Sequence, residues 1–333
     1  MDLDVWWNIT GFLVCSVTIY YAGSKLSEYG NLISELTGLG KAWMGLIIMA
    51  TITSLPELIT GISSVSVVSA PDLAAGDVFG SCVFNLLILS IIDLSVRRPI
   101  TSLISASHLY AGLVSIILLA ACCIFISYGD QVPDFGGVSP FSYILIGLYF
   151  ISIRSIHRFD NQTKRISTVT LNISVARSLK KILIRYMMSA FVVISAALFL
   201  PKFGEKIAQQ TGLGNTFFGT LFLAAATSLP ELSVSLSCVK LKAFDIAVGN
   251  ILGSNIFNVF VLALDDFFYK SGSLFAHISG LHMTSIFFLI IMSSVTGLGV
   301  LQKSGRTFWK LGWDTLIIVI LYITLLIILY TNS

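Results

Sequence analysis

The chain has 333 residues and a formal net charge of +3; 56% of its residues are hydrophobic, 11% are charged, and its mean hydropathy is +0.90. Soluble domains carry about 25% charged residues, so this composition excludes a water-soluble globule. Nucleotide loops, nucleophile elbows and protease motifs do not occur, which leaves ATP-driven pumping, hydrolysis and enzyme function in general without support, and no nucleic-acid-binding pattern is present.

Ten apolar stretches, centred near residues 15, 56, 84, 115, 147, 193, 227, 257, 288 and 321, approach the roughly 20 residues that a membrane-crossing helix needs. The first follows Asp2 and Asp4 without a basic leader, so it is expected to be a retained span rather than a cleaved signal. The sequon Asn8-Ile9-Thr10 lies too close to the membrane for glycosylation to be expected. The second stretch follows Thr37-Gly38-Leu39-Gly40 and carries Thr53-Ser54-Leu55-Pro56-Glu57-Leu58 at mid-span. The third holds Asp72, Gly76, Asp77, Gly80-Ser81 and Phe84-Asn85, and ends near Asp93. After the fifth comes a basic connector, residues 154–185, with Arg154, Arg158, Lys164, Arg165, Arg177, Lys180, Lys181, Arg185 and His157. It reads as a linker that enforces topology, with a surface for anionic lipid or a regulator as the alternative.

The seventh stretch repeats the second: Thr227-Ser228-Leu229-Pro230-Glu231-Leu232 follows Thr211-Gly212-Leu213-Gly214 and Gly219, as Gly45 precedes the first copy. The eighth repeats the third, pairing Asp72 with Asp245, Gly76 with Gly249, Asp77 with Asn250, Gly80-Ser81 with Gly253-Ser254 and Phe84-Asn85 with Phe257-Asn258. Asp93 and Asp314 are expected at membrane boundaries, and His108, His277 and His282 as polar groups between helices. Trp6, Trp7, Trp309 and Trp313 suit an aromatic belt. The five cysteines show no secreted spacing, so neither a disulfide nor a metal cluster is expected.

With the amino terminus outside, inner loops hold all the Lys and Arg residues except Lys202, Lys206 and Lys270; outer loops also hold Asp130, Asp134, Asp265 and Asp266. That bias supports ten spans and places both termini outside. Five spans per half is an odd number, so the second half enters the membrane from the opposite face. The expected fold is therefore an all-α integral membrane protein of ten helices. Two inverted five-helix repeats, 1–153 and 186–333, flank the connector, with signature segments at 37–90 and 211–264.

Pro56 and Pro230 break helices at membrane depth, where irregular backbone is tolerated only against protein or a watery cavity. The carbonyls of Ala50 and Ala224 are the expected freed ligands. Glu57 and Glu231 have no Lys or Arg at comparable depth, so a cation or a proton is the expected charge partner. Thr53, Ser54, Thr227, Ser228, Ser81, Ser254, Asn85 and Asn258 supply further oxygens. An all-oxygen set with two carboxylates suits a hard cation such as calcium, which takes 6 to 8 oxygen ligands. Gly76, Gly80, Gly249 and Gly253 offer small surfaces for close helix approach.

These residues resemble the alpha-repeats of the cation/calcium exchanger superfamily, the sodium/calcium exchanger-like antiporters, particularly the prokaryotic members. Gly249-Asn250-Ile251-Leu252-Gly253-Ser254-Asn255-Ile256-Phe257-Asn258 carries the likeness most fully. The resemblance implies that Glu57, Glu231, Asn85 and Asn258 form a diamond, that calcium and sodium occupy it alternately, and that spans 1 and 6 slide to switch access. It implies no cofactor and no obligatory protein partner. Ile52 and Ala226 replace the glycine before each Thr-Ser pair, while Asp77 and Cys82 replace asparagines in the first copy. Asp77 is expected nearer the membrane edge in a solvated or capping role, with ion coupling as the alternative. Proton coupling, a channel and a transport-inactive relative remain competing readings.

Overall fold

The computed structural model describes residues 3–67, 69–96, 98–163, 173–211, 224–303, 307–308 and 311–332. Seven of the described helices are long and apolar enough to cross a membrane, or eight if one bent pair counts as a span. Six are α1 (Leu3–Thr37), α5 (Pro71–Asp93), α7 (Ser107–Ser127), α12 (Phe244–Phe268), α14 (Leu281–Gln302) and α15 (Trp313–Asn332); the seventh lies within α9 (Ile173–Thr211). The bent pair joins the run α2 (Lys41–Trp43), a π turn at Met44–Met49 and α3 (Ala50–Thr53) to α4 (Leu55–Ser66), with a bend of 40°.

Two of the ten expected stretches fall short of that test. The helix α8 (Pro140–Thr163) carries Arg154, His157 and Arg158 in its second half. The stretch near residue 227 is described only as α10 (Ala224–Thr227) and α11 (Leu229–Lys240). Gly212, Leu213, Gly214 and Gly219 lie outside the described residues, as do Arg97, Lys164, Arg165, Arg306, Trp309 and Lys310. The expected linker is largely helical, since α8 runs to Thr163 and α9 starts at Ile173. Short helices α6 (Ile100–Leu103) and α13 (Leu274–His277) follow α5 and α12, and a two-residue hairpin pairs Thr307 with Gly312 and Phe308 with Leu311.

The core forms around α12, which is buried along nearly its whole length, with α5 beside it. Neither helix has an amphipathic stripe, which is the pattern of a helix surrounded by protein. By contrast α1, α9 and α15 expose large apolar side chains, among them Trp7, Tyr21, Met188, Phe191 and Ile327, on the face that lipid covers. Small residues set the closest contacts. A Cβ on Gly253 would strike the Leu46 carbonyl, and one on Gly249 would stand 2.9 Å from the Ala42 carbonyl. A Cβ on Gly45 would likewise strike the Ile246 carbonyl, so the π turn and α12 touch backbone to backbone.

Buried acids tie the elements together and correct one expectation. Asp93 is fully buried, accepting bonds from Ile100 N (2.7 Å), Gly312 N (2.9 Å) and Thr315 Oγ1 (2.7 Å). Asp314, also buried, accepts from Thr101 Oγ1 at 2.7 Å, and both acids stand at the ends of apolar helices. Asp266 is the counterpart of Asp93. It takes Leu274 N, Ser139 N and Ser142 Oγ, partners that match Ile100, Gly312 and Thr315 at the offsets that align the two halves in sequence. Asp265 and Asp266 thus belong to the last turns of α12 rather than to an outer loop.

The histidines do bridge helices. His108 Nε2 lies 3.0 Å from Asp245 Oδ1 and His282 Nε2 lies 3.2 Å from Asp72 Oδ1. The same two oxygens accept Ser105 N and Ser279 N, each at 2.7 Å. His277 instead lies 2.9 Å from the Ser273 carbonyl within its own helical turn. All five cysteines are unpaired.

Candidate cation site

Both Thr-Ser-Leu-Pro-Glu-Leu segments break at the serine. Ser54 has φ −93° and ψ 9°, Ser228 has φ −84° and ψ 6°, and a new helix starts one residue later with proline in its first turn. Proline is tolerated there because first-turn N–H groups lack intrahelical acceptors. The break places Glu57 and Glu231 in the first turn of α4 and α11, where helix N-termini favour negative charge.

The two breaks face each other across α5 and α12, and their side chains bond reciprocally. Ser54 Oγ donates to Glu231 Oε1 at 2.8 Å, and Ser228 Oγ donates to Glu57 Oε1 at 3.4 Å. Thr53 Oγ1 lies 3.2 Å from Asn250 Oδ1 and 3.5 Å from Ser254 Oγ. Thr227 Oγ1 correspondingly lies 3.1 Å from Asp77 Oδ1 and 3.2 Å from Ser81 Oγ. Ser254 Oγ also donates to Glu231 Oε1 at 3.1 Å. Every one of these side chains is fully buried, as are Asn85 and Asn258.

Asn85 Nδ2 donates to Asn255 Oδ1 at 3.0 Å, and Asn255 Nδ2 donates to the Cys82 carbonyl at 3.3 Å, closing the seam between α5 and α12. Several oxygens stay without a donor among the described residues: Glu57 Oε2, Glu231 Oε2, Asp77 Oδ2, Asn85 Oδ1 and Asn258 Oδ1. Each such buried acceptor costs about 1–3 kcal/mol, and more when charged. All five sit on fully buried residues, and Asn258 Nδ2 is likewise without a partner among the described residues.

One expectation changes here. Asp77 is not solvated; it is buried and bonded to Thr227. The carbonyls of Ala50 and Ala224 each accept a backbone bond at 3.0 Å, from Ser54 N and Ser228 N, and lie 3.3 and 3.1 Å from Thr53 Oγ1 and Thr227 Oγ1. A proline instead deprives the residue four positions back, which is Ile52 for Pro56 and Ala226 for Pro230. Asn250 and Asn255, left out of the expected ligand set, bond into the seam. Their signal was the sequence pairing with Asp77 and Cys82.

A multi-helix membrane protein with a desolvated, oxygen-lined seam has the architecture of an ion carrier. The family of that architecture is shown by comparison: a model described as "Sodium/calcium exchanger protein" matches residues 7–155 and 181–331, and the chain belongs to this family. It is 27% identical over 318 residues to an uncharacterised membrane protein of Methanocaldococcus jannaschii, covering 94% of each. Against the inner membrane protein YrbG of Escherichia coli it is 27% identical, covering 75% of this chain and 76% of YrbG. Sodium/calcium exchanger MaX1 of Methanosarcina acetivorans is 31% identical over 143 residues, spanning 42% of this chain and 38% of MaX1. Among solved structures, that of the sodium-calcium exchanger NCX_Mj superposes with a TM-score of 0.74 at 22% identity, covering 96% of this chain and 98% of the other, a likeness of fold.

Proposed function

We propose that this chain is a secondary antiporter that exchanges calcium for sodium by alternating access, with the cation held at mid-membrane between two inverted five-helix repeats. The observation that carries this reading is the set of five buried oxygens on Glu57, Glu231, Asp77, Asn85 and Asn258 that have no donor among the described residues. Serine and threonine hydroxyls serve the other carboxylate oxygens, and a bound cation would balance the charge of the buried acids. An oxygen-only cage favours a hard cation, and a pair of glutamates matches the charge of calcium. Membership of the sodium/calcium exchanger family supports the same pair of ions.

The reciprocal bonding of the two breaks, together with the positive-inside bias, supports ten spans and both termini outside. Alternating access then follows the pattern of inverted-repeat carriers, with α1 and α9 as the moving pair. These two helices pack together along the outside of the core. A second reading is calcium/proton exchange, favoured by Asp77, a third acid bonded into the cage.

Reconstituted vesicles loaded with sodium should accumulate calcium-45 when placed in sodium-free medium. Uptake indifferent to the sodium gradient but driven by a pH gradient would select the proton reading. The Glu57→Gln, Glu231→Gln double variant should lose uptake by at least 100-fold, and normal exchange by it would remove the site from consideration.

A further inference from the structure

Cys82 leaves a gap in the seam between α5 and α12. The two helices match in sequence at an offset that makes Cys82 the counterpart of Asn255 and Asn85 that of Asn258. One half of the seam is complete: Asn85 Nδ2 donates to Asn255 Oδ1 at 3.0 Å, and Asn255 Nδ2 donates to the Cys82 carbonyl at 3.3 Å. The other half begins in the same way, since Cys82 Sγ lies 3.8 Å from the Asn255 carbonyl. The bond that would mirror the one from Asn85 to Asn255 runs from Asn258 Nδ2 to a side-chain oxygen at position 82, and cysteine has none. The thiol is the group of α5 that the Asn258 amide meets, without the geometry of a hydrogen bond. Asn258 is fully buried, and neither its Nδ2 nor its Oδ1 has a partner among the described residues.

The consequence falls on how the two amides meet a cation. A side-chain amide attracts a cation through its oxygen and repels it through its NH2 group, so affinity depends on which end faces the cage. On Asn85 the bond to Asn255 engages Nδ2 and leaves Oδ1 free to act as a ligand. Nothing makes that choice for Asn258. No bond holds its nitrogen, and rotation about its last torsion exchanges oxygen for nitrogen in a broad, roughly two-fold well. A cation must therefore order this amide as it binds, and that ordering subtracts from affinity. We infer that Cys82 is a positioning residue of the cage: by leaving Asn258 unheld, it lowers the affinity for the bound cation and confines the pre-set amide ligand to Asn85. The inference rests on the cage reading for the identity of the ion. Asparagine at this position would supply both missing bonds, one to the Asn255 carbonyl and one from Asn258 Nδ2, as Asn255 does for the other half.

The test uses the purified full chain and reads its melting temperature against calcium chloride at constant ionic strength and pH, which gives an apparent affinity. Cys82→Asn is expected to tighten calcium about threefold, because an amide free in orientation is competent only part of the time. In vesicles the same variant should lower half-saturating calcium without raising the maximal uptake rate. Cys82→Ala, which also lacks the oxygen, should not tighten calcium, and Cys82→Asn added to Asn258→Ala should bind no better than Asn258→Ala alone. Asn255→Cys opens the matching gap beside Asn85 and should weaken calcium about threefold; it decides the question should Cys82→Asn not be monodisperse. The inference is overturned by a monodisperse Cys82→Asn that binds no tighter, by equal tightening in Cys82→Ala, by tightening that persists without the Asn258 amide, or by an Asn255→Cys variant that binds like the unaltered chain. A melting temperature that ignores calcium altogether overturns this inference and the cage together, whereas calcium binding without sodium-driven uptake removes only the exchanger reading.

Discussion

Asp77 shows what a single side chain decides at this site. Its partner in the other half of the molecule, Asn250, contacts Thr53 through an amide, whereas Asp77 contacts Thr227 through a carboxylate. The two sides of the cage therefore share geometry and differ by one charge. Asp77→Asn should weaken the apparent calcium affinity of vesicle uptake by about tenfold, equivalent to about 1.4 kcal/mol. An unchanged calcium dependence would restrict Asp77 to holding Thr227. Cys82, opposite Asn255, has a smaller effect on the cage: its Sγ lies 3.8 Å from the Asn255 carbonyl, and Asn255 returns a bond to the Cys82 carbonyl. Much of this was legible in the sequence, because Glu57, Glu231 and their hydroxyls recur in register. The position of Asp77 was not, since depth counted along a sequence gives distance from the membrane edge and says nothing about which face of a buried helix meets a partner.

At the scale of elements, the broken helices reach the site only because α12 lets them approach closely. Gly253 faces the Leu46 carbonyl with no space for a methyl group. Gly253→Ala should cost about 1–3 kcal/mol of stability through overpacking, read as a lower melting temperature of the solubilised protein. Gly112→Ala is the control, because a Cβ there meets nothing within 4 Å; a loss equal to that of Gly253→Ala would show that contact geometry is not the cause. The tie between α1 and α11 is polar. Ser27 Oγ donates to the Val234 carbonyl at 2.9 Å, Ser24 Oγ and Ser237 Oγ are 2.8 Å apart, and Ser233 Oγ donates to the Tyr20 carbonyl at 3.1 Å. Ser27→Ala removes one of these bonds, worth about 0.5–1.5 kcal/mol. If α1 slides during exchange, the variant should change the uptake rate while leaving half-saturating calcium in place; a change in calcium affinity alone would contradict the sliding role. Sequence patterning located these elements but not their ties, because serines on a membrane helix can equally bond to their own backbone.

The whole molecule is pinned by acids that occur in matching positions. Asp93 and Asp266 each collect the start of a short helix and a distant turn, while Asp72 and Asp245 each hold a histidine of another helix and a backbone N–H from the turn before it. The second pair joins the halves at opposite ends of the core under the proposed topology. His282→Ala and His108→Ala should therefore shift the access equilibrium in opposite senses, measured as opposite changes in apparent cation affinity from one face of oriented vesicles. Shifts of the same sign would make both contacts simple stabilisers.

The sequence by itself determined the solvent, the helical class, the internal duplication and the all-oxygen character of the site. Each of these follows from residue type and spacing along the chain, which survive any arrangement of the helices. Only the tertiary structure decided which carboxylates receive donors and which are left bare. Asp93, Asp266 and Asp314 look like boundary acids in the sequence, yet each is buried and bonded by groups distant in the chain. Asp265, adjacent to one of them, receives no donor among the described residues, because its side of α12 faces Gly61. The physical reason is that satisfaction of a buried charge depends on the few ångströms around it, and those are set by how helices pack rather than by their order.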